Sequence, residues 1–202
     1  MILMKVDEWL SFFKQHPEKK LFSLSDLLQL TGEQNSSLKV QLSRLVKSGV
    51  VPRCANEWYE NPFSPPSAEE IAMILRLPSY LSLEYALSIH NILSQTVYRL
   101  TLVTTKLPYT FKTKSTVYEY HQINKNLYWG FSTTGFVRVA EPEKALLDLI
   151  YIRYVKSKKI SFAQLSSMIN DMYLEDLDTD KVHRYVQKFS PGTKSVVETL
   201  KL

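Results

Sequence analysis

Hydrophobic positions in the first 60 residues follow a helical period and then switch to a strand period. Val6, Trp9, Leu10 and Phe13 fall at i, i+3, i+4 and i+7, which predicts an amphipathic helix ending near His16-Pro17. Leu24, Leu27, Leu28 and Leu30 mark a second, short helix, capped by Ser23 or Ser25 and stopped by Thr31-Gly32. A third runs from about Asn35 to Ser48. Its Leu38, Leu42, Leu45 and Val46 share one side, and its Ser36, Lys39, Ser43 and Lys47 share another. After Gly49, Val50 to Arg53 reads as a strand, Cys54-Ala55-Asn56 as a turn and Glu57 to Glu60 as a returning strand. Helix, helix, turn, helix and hairpin is the order of a winged helix-turn-helix.

The stretch Asn61-Pro62-Phe63-Ser64-Pro65-Pro66-Ser67 lacks three backbone donors, so it predicts a boundary between a domain over 1–62 and another over 63–202. Ser67 and Glu70 have the spacing of a capping box that opens a short helix through Ile71, Ile74 and Leu75. Ser82 to His90 reads as a helix with Ser82 as N-cap. Val97–Thr105, Tyr109–Lys112, Thr116–Ile123, Leu127–Ser132 and Gly135–Ala140 read as strands of a small antiparallel or mixed sheet. Glu141-Pro142-Glu143 begins an apolar helix through Ala145, Leu146, Leu149, Ile150 and Ile152, with Pro142 at its first position. Three helical segments follow, near 161–173, 178–189 and 193–202. The expected class is α+β: an N-terminal winged helix-turn-helix, then a mixed α/β domain with a small sheet and C-terminal helices.

Composition narrows the functions. With 45% hydrophobic residues in 202 there is material for real cores, and no apolar run has the length of a membrane span. Met1 to Met4 lead directly into charged residues without an export signal, so a soluble, cytoplasmic protein without membrane contact is expected. The single cysteine, Cys54, forms no internal disulfide, and no Cys/His spacing matches a structural zinc site.

The net charge of +5 is modest, but its placement matters. Between Gln34 and Arg53 the charged residues are Lys39, Arg44, Lys47 and Arg53, with no acid among them. An α-helix fits the major groove of DNA, where the first polar residues meet base edges and flanking cations meet phosphates. Gln34, Asn35, Ser36 and Ser37 are the hydrogen-bonding candidates at the helix start, with Lys39, Ser43, Arg44 and Lys47 further along and Arg53 on the wing. A module offering about four cations binds weakly alone, so two copies, or help from the rest of the chain, are expected to be needed, with the protein a monomer in solution or a dimer on DNA.

Chemistry beyond binding is sparse. There is no glycine-rich phosphate loop and no nucleophile elbow; no catalytic, metal or cofactor site is assigned. Glu141, Glu143 and Lys144 are the residues a metal-dependent nuclease would use. As a structural alternative, the two glutamates lie beside the helix dipole and Lys144 forms an exposed i, i+4 pair with Asp148. Tyr109, Phe111, Tyr118, Tyr120, Tyr128 and Trp129 alternate with Lys112, Lys114 and Lys125, as in a platform for single-stranded nucleic acid or in a sheet core.

Several segments in combination carry a resemblance: Pro78-Ser79-Tyr80-Leu81-Ser82-Leu83-Glu84-Tyr85-Ala86-Leu87, Val103-Thr104-Thr105-Lys106, Tyr118-Glu119-Tyr120, and Val139-Ala140-Glu141-Pro142-Glu143-Lys144-Ala145-Leu146-Leu147-Asp148. In order and spacing the chain over about residues 5–155 resembles the AbiEi antitoxin family. The resemblance implies a non-enzymatic antitoxin and transcriptional autorepressor of a bacterial type IV toxin-antitoxin system for phage defence. It implies binding of double-stranded DNA at an inverted repeat in its own promoter, and countering of a nucleotidyltransferase toxin, functionally or by direct contact. By position, the DNA role falls on Asn35 to Ser48 and on Arg53, while Glu141 to Asp148 reads as a framework. A protein-only adaptor is the remaining alternative.

Overall fold

The computed structural model describes residues 4–113, 116–158 and 160–200. The chain is α+β and divides into two compact units, one up to Ile71 and one from Ala72. The division lies within a helix, and the proline-bearing stretch 61–67 belongs to the first unit.

In the first unit α1 (Val6–Lys14) leads to β1 (Leu21–Ser23), α2 (Leu24–Thr31), α3 (Asn35–Lys47), β2 (Arg53–Ala55) and β3 (Trp58–Glu60), and α4 (Ala68–Leu75) begins in this unit and ends in the second. The strands form an antiparallel sheet in the order β1-β3-β2. β1 is too short to carry a periodic signal. It passes into α2 without a loop because Ser23 and Asp26 form a capping box: the Asp26 N–H donates to Ser23 Oγ at 3.0 Å, and the Ser23 N–H to Asp26 Oδ2 at 2.8 Å. Burial works to raise the Asp26 carboxyl, but these bonds and Lys19 at 3.3 Å outweigh it and hold the carboxyl below its ordinary value. Ser23→Ala is therefore expected to destabilise the protein by about 1 kcal/mol in urea melts, because the α2 N-terminus loses its acceptor.

Gly32 ends α2 at φ 68°, the left-handed turn that aims α3 back across α2. Trp9, Phe13, Phe22, Leu27, Leu38, Leu42, Leu45, Val51 and Tyr59 are buried together, so the apolar stripes of all three helices meet the sheet at one core. The first strand of the hairpin lies later than its sequence implies: Val50 and Val51 precede β2, and Val51 is buried. Cys54 accordingly lies in β2, and the turn falls at Asn56-Glu57.

Asn61 gives the proline-bearing stretch its place. Its side chain is fully buried, and Nδ2 lies within hydrogen-bond distance of the carbonyls of Phe13 (3.2 Å), His16 (2.9 Å) and Lys19 (3.1 Å). Oδ1 accepts from the Phe63 N–H at 3.0 Å. The end of α1 and the exit of β3 are thus held by one side chain. Ser67 and Glu70 form the expected capping box at α4, and Glu70 also pairs with Lys20 at 3.0 Å.

The second unit carries a six-stranded mixed sheet in the order β6-β7-β5-β4-β9-β8, with β4 Ser79–Leu81, β5 Arg99–Thr104, β6 Tyr109–Lys112, β7 Val117–Gln122, β8 Phe131–Thr134 and β9 Val137–Ala140. β5 pairs parallel with β7 and antiparallel with β4, which pairs parallel with β9. Leu100 to Thr104 are buried, as expected for an interior strand. The helices are α5 (Leu83–Ile89), α6 (Pro142–Leu149), α7 (Phe162–Asn170), α8 (Thr179–Val186) and α9 (Pro191–Leu200), and α6 continues as a π-helix over Ile150–Lys156.

Three expectations change here. Leu127–Ser132 is not one strand: Lys125–Leu127 is a 3₁₀ turn, and β8 starts only at Phe131, after Gly130 has turned the chain at φ 75°. The Ser82 hydroxyl does not cap α5 but donates to Asp148 Oδ2 at 2.9 Å, drawn inward by the buried carboxylate. The aromatic series is mostly core: Tyr118 and Tyr120 are buried, and the Tyr120 hydroxyl donates to the Ala72 carbonyl at 2.7 Å. Only Tyr109, on the edge strand β6, is half exposed, and Lys114 lies outside the described residues.

Candidate nucleic-acid interface

At ~100° per residue, Ser36, Lys39, Val40, Ser43 and Lys47 of α3 fall within an arc of about 100°, with Arg44 on its margin. All six are exposed, as are Gln34 and Asn35 at the helix start and Arg53 on β2. The opposite side of α3 contributes Leu38, Leu42 and Leu45 to the core, so the polar arc must face outward.

Ser37 is the exception among the candidates, and its assignment as a surface hydrogen-bonding residue is corrected. It is buried, donating to Glu33 Oε2 at 3.0 Å and accepting from Gln41 Nε2 at 3.1 Å, while Gln41 Oε1 accepts from Trp9 Nε1 at 3.1 Å. This polar chain ties α3 to α1. A buried indole N–H needs an acceptor, and that requirement draws Gln41 and then Ser37 inward.

The cations differ in their surroundings. Lys39 Nζ lies 3.1 Å from Glu57 Oε1, with both side chains about half exposed. Arg53 is turned onto the hairpin, donating from Nε to the Ala55 carbonyl at 3.1 Å and from Nη2 to Asn56 Oδ1 at 2.7 Å. A recess of about 250 Å³ between α3 and the hairpin is lined by Lys39, Ser43, Arg53, Asn56 and Glu57. Arg44 borders a separate recess with Lys5, Val6 and Gln41. Among the described residues neither Arg44 nor Lys47 has an ion pair.

The acid-free window in the sequence is therefore not an acid-free surface. Glu57 comes in from the hairpin, and Glu33 lies one residue before the α3 N-cap. Periodicity alone also overlooked Val40, an apolar side chain 49% exposed on the polar arc. Cys54 is half-buried, and burial together with the nearby Glu60 charge pushes its thiol up to about 11, so it stays protonated and unreactive at neutral pH.

The group from Glu141 to Asp148 is the other candidate. Glu141 stands at the N-cap position of α6 without a side-chain capping bond; its Oε2 instead accepts from the Tyr185 hydroxyl at 2.5 Å and lies 3.3 Å from Lys181 Nζ. Glu143 pairs with Lys181 at 3.1 Å and accepts from the Asp178 N–H at 3.2 Å. Both glutamates thus fasten α8 to α6.

Lys144 and Asp148 are not the exposed pair expected from their spacing: both side chains are fully buried and in direct contact. The Lys144 ammonium also reaches the Tyr80 hydroxyl at 2.9 Å and lies 5.1 Å from the Trp129 ring centroid and 5.2 Å from that of Phe189. Asp148 Oδ2 accepts from Tyr80 at 2.8 Å as well as from Ser82. The i, i+4 rule reports adjacency on a helix, not which side of the helix is covered, and here Tyr80 of β4, Trp129 and Phe189, which follows α8, cover it. Burial pushes the Asp148 carboxyl up and the Lys144 ammonium down from their ordinary values, against the pull of each on the other.

Among the described residues no three His, Cys, Asp or Glu side chains converge as a metal site, and no helix is long and apolar enough to cross a membrane. A cavity of about 460 Å³ lies in the second unit beside Glu84, Arg99, Glu119 and Arg153, and nothing in the sequence pointed to it. Its cations are already matched, Arg153 to Glu84 at 2.8 and 3.0 Å and Arg99 to Glu119 at 2.9 Å. Compared with known proteins, the chain matches no protein-family model and no curated protein.

Proposed function

We propose that this protein is a DNA-binding regulator whose first unit is a winged helix, with α3 as the recognition helix and the β2–β3 hairpin as the wing. The observation that carries this reading is the outward arc of Ser36, Lys39, Ser43 and Lys47, flanked by Arg44 and Arg53, on a helix whose leucines are committed to the core. Asn35 and Ser36 reach base edges in the major groove, Val40 offers methyl groups to a thymine methyl, and the cations meet phosphates.

The resemblance of the chain to the AbiEi family supports a narrower form: a cytoplasmic antitoxin and autorepressor that binds an inverted repeat in its own promoter as a dimer and counters a nucleotidyltransferase toxin through the second unit. The pairing of Glu141 and Glu143 with Lys181, and the enclosure of Lys144, favour a framework role for that motif over a nuclease site.

Binding of a duplex carrying the region upstream of the gene, measured between about 50 and 200 mM salt, tests the reading. Arg44→Ala and Lys47→Ala are each expected to weaken binding about 3- to 10-fold and to lower the salt slope by about 1, with the thermal melt unchanged. Unchanged affinity and slope in both variants would exclude α3 as the DNA-contacting element.

A further inference from the structure

The wing turn holds an acid where a DNA-binding surface has no use for one. Glu57 has φ 58°, a left-handed conformation that glycine or asparagine adopts more readily than glutamate. The position is held from outside the turn, because the Glu57 carbonyl accepts from the Leu24 N–H at 2.8 Å. A strained residue retained in this way orients its side chain, and that side chain lies 3.1 Å from Lys39 on the exposed arc of α3. The same turn engages Arg53 through Ala55 and Asn56. Two of the cations facing the recess between helix and wing are thus occupied by the wing itself.

Resting on the DNA-binding reading above, we propose that Glu57 is an internal competitor for phosphate: its carboxylate holds the Lys39 ammonium in the free protein and is displaced when a DNA phosphate takes its place. The exchange is feasible because both partners are about half exposed, where an ion pair is weak and screened by salt. Glu57 lowers the affinity of the surface for every duplex alike, since phosphate carries no sequence information. Base contacts from the start of α3 then decide which duplex is retained: the acid leaves the ratio of affinities between duplexes unchanged and lowers the occupancy of all of them, so that at a given protein concentration only duplexes with good base contacts stay bound.

The test uses the full chain and a mixed-sequence duplex of about 30 base pairs, followed by fluorescence anisotropy at several salt concentrations. Glu57→Gln keeps the side-chain shape and removes the charge; Glu57→Gly also relieves the left-handed backbone. Both are expected to tighten binding about 3- to 10-fold at about 100 mM salt and to steepen the salt slope by about 1. In a Lys39→Ala background the gain is expected to fall below about 2-fold. If the wild-type protein binds with a salt dependence but Glu57→Gln does not tighten it, or tightens it equally without Lys39, the competitor role is wrong and the DNA-binding reading stands. If neither the wild type nor any variant binds the duplex, the DNA-binding reading itself fails and takes the competitor with it.

Discussion

Asp148→Ala is expected to destabilise the second unit by about 3–5 kcal/mol, because it strands a buried ammonium and removes the acceptor of two buried hydroxyls. Lys144, Tyr80 and Ser82 all donate to that one carboxylate. Lys144→Met is expected to be milder, since Asp148 keeps the Tyr80 and Ser82 hydroxyls and the methionine fills the space against Trp129 and Phe189. Removing both charges is expected to be less damaging than the sum of the two, the sign of a coupled pair in a double-mutant cycle.

A pH profile distinguishes the two single variants. Burial already raises the Asp148 carboxyl above 3.8, and loss of the Lys144 ammonium raises it further. A carboxyl raised in the folded state binds its proton more tightly there than in the unfolded chain. Relative to wild type, Lys144→Met should therefore be at its most stable below about 3.8 and lose ground as pH rises through the raised value. Urea melts at a series of pH values measure this, and a flat difference across the range would contradict it.

Asn61→Ala is expected to destabilise the first unit by about 3 kcal/mol, leaving the Phe13, His16 and Lys19 carbonyls without the shared donor that now serves them. Asn61→Asp is expected to be worse at neutral pH, because a carboxylate placed against three carbonyl oxygens has no proton to give. If both substitutions shift the urea midpoint by less than a surface change does, Asn61 is not the tie between α1 and the sheet.

Asn61 also shows why the sequence was harder to read at that point. Three prolines around it mark a break in regular structure, and a break in regular structure is a natural place for a domain boundary. The amide of Asn61 serves carbonyls more than 40 residues earlier in the chain, a relation that no local window contains. For the same reason the window from Gln34 to Arg53 looked free of acids while the folded surface is not, since Glu57 returns to Lys39 across the hairpin.

The helices of the first unit and the limits of most strands were legible because an apolar stripe at 3.6 or 2 residues can be buried in only one way. The cap at Ser67, the proline opening α6 and the left-handed stop at Gly32 were equally local, each set by backbone groups a few residues apart. Sequence by itself thus determined most helices, the strands β3, β5, β6, β7 and β9, and which side of α3 faces outward, whereas the short strands β1 and β4 and the starts of β2 and β8 were not legible in it. Tertiary structure decided the rest: that Ser37 turns inward to serve Trp9, that Lys144 and Asp148 are enclosed, and that Glu57 shares a surface with Lys39. Periodicity tells a side chain which face of its own element it occupies. What covers that face, and which charge meets it there, depends on residues far away along the chain.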